Sequence, residues 1–361
     1  VYATVHVKLL VLAVLFVTAV AEAKTPRVSL WTAFEARALR GAALNGVRLE
    51  PTSPLRVTLE TGKRVGTLET APIAASFDTA VPSWNTLTKP GSSVKMDVRA
   101  RFGTRWSRYY QMGAWSTDPN LNRTSVNGQK DVDGRVNTDT LQLARKADAI
   151  QLRVTLEGDA TLTGLAVVTS DSAQHERLLA TRENRTAWGR ELAVPAMSQM
   201  LYPGGGEVWC SPTSVTMVLR YWDARQGSST AQSVPDAAKA MWDTAYDGSG
   251  NWSFNAAYAG SKGYRAYVHR LSSLNEAQAF IARGVPLALS IGWDLGTLTG
   301  AHVPRSEGHL VVLRGFTKTG NPIINDPAAR TDVGVRTIYQ RAELERAWIE
   351  HSGGIVYVIE P

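Results

Sequence analysis

The feature that most limits how this chain folds is a change of rhythm near Val194. Before it, residues 55–59, 93–100, 149–156 and 162–169 alternate apolar with polar or are rich in β-branched side chains, as half-buried strands are. Turn signals separate them at Thr61-Gly62, Lys89-Pro90-Gly91, Asn127-Gly128, Asp133-Gly134 and Glu157-Gly158-Asp159. Many short strands with regular turns predict an all-β sandwich, jelly-roll-like, over residues 27–175. After Val194 the spacing turns helical at Val215, Val218, Leu219 and Trp222, and again at Ala277, Phe280 and Ile281. Apolar strands follow at 286–291, 310–316, 322–325 and 355–359. Helices first and strands later predict an α+β domain over residues 194–361. The polar, charged stretch 176–193 reads as a linker or a short helix.

A length of 361 residues suits two such domains, and 44% apolar with 20% charged residues is the balance of a folded chain. The net charge of +7 comes from Lys and Arg scattered without a run of five. That is a solvated surface, so no nucleic-acid partner is expected, although a basic exported protein is drawn to anionic surfaces. Residues 1–23 read as a secretory signal peptide, with Lys8, a mostly apolar stretch over 9–21 and Ala21-Glu22-Ala23 as cleavage site. That stretch is shorter than the ~20 residues of a comfortable membrane span. A retained anchor is the other reading. No other stretch is long and apolar enough, so no integral span is expected after cleavage, and the mature chain is expected to be secreted or held in the cell envelope. In the sandwich, Trp84, Trp106, Trp115, Tyr109 and Tyr110 either fill the core or form a face that stacks on sugars, which would make cell-wall glycan a partner.

There is one cysteine, Cys210. It excludes an intramolecular disulfide and a thiol-only metal site. A glycine-rich loop, Gly204-Gly205-Gly206, runs toward it, and Pro212 follows two residues later. Proline suits a first helical turn, where its missing N–H is not needed. Cys210 is therefore expected at a helix N-terminus, whose partial positive charge favours thiolate, the nucleophilic form. A buried structural cysteine is the bland alternative. His309 opens an apolar strand, and Asn325-Asp326-Pro327 closes the next one after a turn at Thr319-Gly320-Asn321. In an antiparallel hairpin His309 and Asp326 lie at the same end, where a carboxylate can fix the imidazole tautomer and stabilise the imidazolium. Asn325 is the alternative orienting group, and His302 is the rival histidine. Acyl transfer also needs oxyanion donors. The N–H of Cys210 and the side chain of Gln199 are the candidates. No Cys-x-x-Cys or His-Glu-x-x-His spacing occurs, which leaves His302, His309 and Asp326 as the one conceivable metal set, and no metal or other cofactor is expected.

Taken in order, Gln199, Cys210, Gly308-His309 and Asn325-Asp326-Pro327 resemble the papain-like cysteine peptidases of the bacteriocin-processing type, in particular their secreted, stand-alone relatives. The resemblance covers about 194–361. It implies Cys210 as nucleophile, His309 as general base, Asp326 as its orienting group and Gln199 as oxyanion donor. Two departures stand out: Ser211 where many members have Gly, and a long Gln199-to-Cys210 interval. Bacteriocin processors are usually fused to a transporter and cut after a double glycine. This sequence holds no transporter segment, so that substrate is not carried over. The expected activity is a cysteine hydrolase that cleaves a peptide or isopeptide bond of a peptide or protein substrate through a thioester. A transglutaminase or deamidase with the same triad, and a glycan-binding protein with an inactive papain-like scaffold, are the alternatives.

Overall fold

The computed structural model describes residues 28–172 and 184–361. The signal-peptide reading of residues 1–23 lies outside the described residues. Among the described residues, no helix is long and apolar enough to cross a membrane.

Residues 28–172 form an all-β domain. Its strands are β1 (Ser29–Ala33), β2 (Ala43–Asn45), β3 (Val47–Leu49), β4 (Val57–Leu59), β5 (Val65–Glu69) and β6 (Ile73–Thr88). They continue with β7 (Ser93–Phe102), β8 (Arg105–Trp106), β9 (Tyr110–Trp115), β10 (Gly134–Asn137), β11 (Thr140–Glu157) and β12 (Ala160–Ser170). All pairings between them are antiparallel. Instead of two separate sheets, they link into one hydrogen-bonded network, because β6 and β11 are long and serve both sides. The near end of β11 pairs with β6, and its far end with β5 and β7. Register shifts between Gln142 and Ala149 mark bulges in β11, which bend a strand. Arg145 and Lys146 sit there and are both exposed, which strict alternation would forbid. Trp84, Trp115 and Tyr110 are fully buried core. Trp106 and Tyr109 stay half-buried, with the Arg99 guanidinium 4.7 and 4.6 Å from their ring centroids and Arg153 3.8 Å from Tyr109.

Residues 184–361 form an α+β domain. Its helices are α1 (Cys210–Gln226), α2 (Val234–Met241), α3 (Trp252–Ser261), α4 (Leu274–Arg283) and α5 (Arg341–Ser352). Its strands are β13 (Arg265–Arg270), β14 (Leu287–Trp293), β15 (Ser306–Phe316), β16 (Pro322–Asn325), β17 (Arg336–Ile338) and β18 (Ile355–Glu360), in the sheet order β13-β18-β14-β15-β16-β17. Helix α1 is buried almost all round and packs on β14, β15 and β18, as a central helix does. The described part of the expected linker is not free. The Leu192 N–H donates to Arg314 O at 2.7 Å, and Ala187 and Leu192 are buried. Gly315 permits this approach, since a Cβ there would stand 2.4 Å from Arg190 O.

The two domains meet along β13, the edge of the second sheet. Asn85 of β6 donates from Nδ2 to Ala266 O at 2.7 Å and accepts from Ala266 N at 3.0 Å. Two residues along, Val268 N donates to Ser83 Oγ at 3.2 Å. Side chains of the first domain thus satisfy the outward backbone groups of an edge that would otherwise be an open template. Gly260 of α3 leaves room for Asn85, because a Cβ there would lie 2.5 Å from its amide.

Candidate active site

The loop ahead of α1 folds back on itself. Gly206 N donates to Tyr202 O at 3.0 Å, and a Cβ on Gly206 would stand 2.2 Å from Gln199 O. Gly205, at φ +145°, packs against the Trp209 ring, where a Cβ would meet ring carbon at 2.5 Å. These two glycines let the loop carry the chain into Cys210, the first residue of α1, which stays partly exposed. Ser214, one turn on, donates from Oγ to Leu310 O at 2.9 Å. That bond ties the helix to β15 directly beside His309.

His309 is the fourth residue of β15 rather than its first, and is buried. Its Nε2–H donates to Asp326 Oδ1 at 2.7 Å. The ring also hydrogen-bonds to Cys210. With Nε2 taken by Asp326, Nδ1 is the nitrogen left for the sulfur. Trp293 packs edge-on against the imidazole, with centroids 5.7 Å apart. Asp326 is fully buried just past β16. Ala328 N donates to its Oδ1 at 2.9 Å, and the Tyr339 hydroxyl donates to Oδ2 at 2.5 Å.

Each shift in acidity follows from these contacts. Packing around the sulfur would raise the Cys210 thiol. The hydrogen bond and charge of His309, with the N–H groups of Leu310 and Ser211, outweigh it and hold the thiol below its usual range. Burial would likewise depress the His309 imidazolium, but the Asp326 carboxylate, followed by Cys210, pushes it well above the usual histidine range. Burial would raise Asp326, but His309, Tyr339 and Ala328 N–H hold it at about 2. The combination favours a thiolate–imidazolium pair.

The other sequence candidates fall elsewhere. Asn325 faces away from the imidazole: Nδ2 donates to Pro195 O at 3.0 Å, and Oδ1 accepts from Arg314 at 3.0 Å. His302 bonds Thr337 Oγ1 at 3.0 Å and is absent from the His309–Asp326 contact. Gln199 lines the same cavity, but its Nε2 donates to Gly206 O at 2.8 Å and Glu207 O at 3.0 Å, so both amide hydrogens are engaged. Its buried Oε1 has no partner among the described residues. Cys210 and His309 open onto a cavity of about 950 Å³ lined by both domains.

Residues 191–356 match the model of the Peptidase C39 like family, and residues 22–173 match that of the Peptidase C39 N-terminal domain. The C-terminal half is a C39-like peptidase domain. No curated protein matches the chain. Among solved structures, a C39-like protein from Bacillus anthracis is 14% identical, with 47% of this chain and 96% of that one covered at a TM-score of 0.30. A family 6 carbohydrate-binding module is 12% identical over 38% of this chain and 90% of that one, at a TM-score of 0.19. A family 29 carbohydrate-binding module is 11% identical over 41% and 92%, at 0.22. These scores are too low to carry an argument. Within the C39-like domain, sequence reasoning missed Ser214 and Tyr339, and it left Trp293 open between cleft and core. Tyr339 follows Asp326 by thirteen residues, on a segment with no periodic signal, and only the return of the chain through β17 brings its hydroxyl to the carboxylate.

Proposed function

We propose that the chain is a cysteine peptidase that hydrolyses a peptide or isopeptide bond through a thioester on Cys210. One observation carries this: the sulfur stands at a helix N-terminus against an imidazole whose far nitrogen is bonded to a buried carboxylate. The thiolate attacks the substrate carbonyl carbon, an S–C bond forms, and the carbonyl electrons move onto oxygen. His309 Nδ1–H gives its proton to the leaving nitrogen as the C–N bond breaks. Water then attacks the thioester while Nδ1 takes a proton from it. The C–S bond breaks, and a carboxylate leaves. Asp326 stays ionised throughout, holding the tautomer and the charge of the ring. The Cys210 N–H is a donor for the oxyanion, and Gln199 joins it on releasing one of its two carbonyl partners. Transglutamination and deamidation share the thioester and differ in the group that attacks it or in the amide consumed. Export fits the first 23 residues. Glycan stacking is less favoured, since Arg99 and Arg153 cover the ring faces of Trp106 and Tyr109.

The test is Cys210→Ala in the full chain. It is expected to abolish both iodoacetamide labelling and hydrolysis of a mixed peptide digest. Hydrolysis that persists in the variant would overturn the thiol mechanism.

A further inference from the structure

One wall of the cavity comes from outside the C39-like domain. The turn between β10 and β11, residues 137–140, lines the cavity that holds Cys210 and His309. Asp139 anchors that turn: it is buried, and its Oδ2 accepts from Trp252 N, the first residue of α3, at 2.6 Å. Thr138 at the tip has φ +54°. A β-branched residue adopts that left-handed conformation only where its surroundings impose it.

A second part of the rim is held by the same domain. The loop between α2 and α3 carries Trp242 and Tyr246 into the cavity. Asp243 of that loop accepts from Ser125 N at 2.8 Å, Thr244 N donates to Arg123 O at 3.0 Å, and Asn127 Nδ2 donates to Ala245 O at 2.8 Å. Trp242 and Tyr246 are 37% and 48% exposed, and Met200 and Val208, on the same cavity, are 46% and 67% exposed. Large apolar side chains gathered at one concave surface mark a binding site. Apart from the Cys210–His309 pair, the charged side chains lining it are Asp139, Glu207, Asp247 and Glu307 against Arg305, so an acidic ligand group is disfavoured.

We propose that the N-terminal domain is a specificity element: its 137–140 turn and the Trp242–Tyr246 loop that it holds form a subsite for an apolar side chain of an extended peptide. The proposal rests on the peptidase reading for its substrate class. Thr138 and Tyr246 set the selectivity, and the C39-like domain supplies the chemistry.

The experiment uses the full chain and tripeptidyl chloromethyl ketones in which each position in turn carries Phe or Glu. Every labelling rate at Cys210 is divided by the same variant's iodoacetamide rate, which removes differences in thiolate reactivity. The wild type is expected to prefer Phe over Glu at one position by at least tenfold. Tyr246→Ala and Thr138→Gly are each expected to cut that ratio at least fivefold, and Thr138→Gly also tests the wall without risking the fold, since glycine accepts the observed φ. No Phe preference in the wild type, or an unchanged ratio in both variants, would overturn the proposal. Binding of the matching tripeptide amides to Cys210→Ala reads the same ratio without chemistry. A preference that survives there while the wild-type thiol proves inert would sink the peptidase reading and leave the subsite standing.

Discussion

Replacing Asp326 with Asn removes one charge and keeps the shape. The amide oxygen can still accept from His309 Nε2, now 2.7 Å from Oδ1, and the amide nitrogen can face the Tyr339 oxygen. What is lost is the electrostatic hold on a buried imidazolium. A hydrogen bond to a charged group contributes about 1.5–3 kcal/mol, roughly twice a neutral one. Because the amide keeps a neutral bond, removing the charge at this fully buried site is expected to cost the imidazolium about half of that, ~0.75–1.5 kcal/mol, or about half to one pKa unit. The balance between thiolate–imidazolium and neutral thiol–imidazole shifts by the same amount, so the ratio of thiolate to thiol at neutral pH falls roughly 3- to 13-fold. The assay is the rate of iodoacetamide alkylation of Cys210 from pH 4 to 10. The wild type is expected to react at a lower pH than an ordinary thiol, because its thiol is lowered and its imidazolium raised. The variant's profile is expected to move up toward the pH of an ordinary thiol, about 8.5. A profile that keeps its wild-type form below pH 7, in a variant with unchanged circular dichroism, would refute the proton-relay reasoning.

Two further outcomes can be measured by denaturation. Asn85→Ala leaves the Ala266 N–H and C=O buried without partners. Unmade buried bonds cost about 1–3 kcal/mol each, so urea unfolding is expected to lose about 2–6 kcal/mol, and a loss below ~0.5 kcal/mol would remove Asn85 from the interface argument. Burial raises Asp139 to about 6, above its unfolded value near 4. The folded state therefore binds this proton more tightly, and the contribution is full below about pH 4 and lost as pH rises through about 6. Asp139→Asn is expected to remove that decline, and an identical slope of stability against pH in both proteins would contradict it.

What the sequence made legible was local. Pro212 two residues after Cys210 marked the start of α1, and the apolar runs flanking Thr319-Gly320-Asn321 marked β15 and β16. Their antiparallel pairing then follows from the short turn. The contacts that finish the site are long-range. Ser214 reaches Leu310, and the 137–140 turn arrives from a different sheet. No periodicity announces such meetings. Strand length was also hidden. Only residues 149–156 of β11 alternate cleanly, because the bulges before Ala149 break the pattern while the strand continues. Asn85 looked like any polar residue in a Thr- and Ser-rich run, and only β13 standing beside it gives its amide a purpose.

The Asn85 carboxamide and the Ser83 hydroxyl together stand where a neighbour strand would pair. The halves of the molecule are consequently not interchangeable parts. A graft of the rear half onto a foreign front piece would leave a bare, sticky ledge, inviting copies to stack on one another.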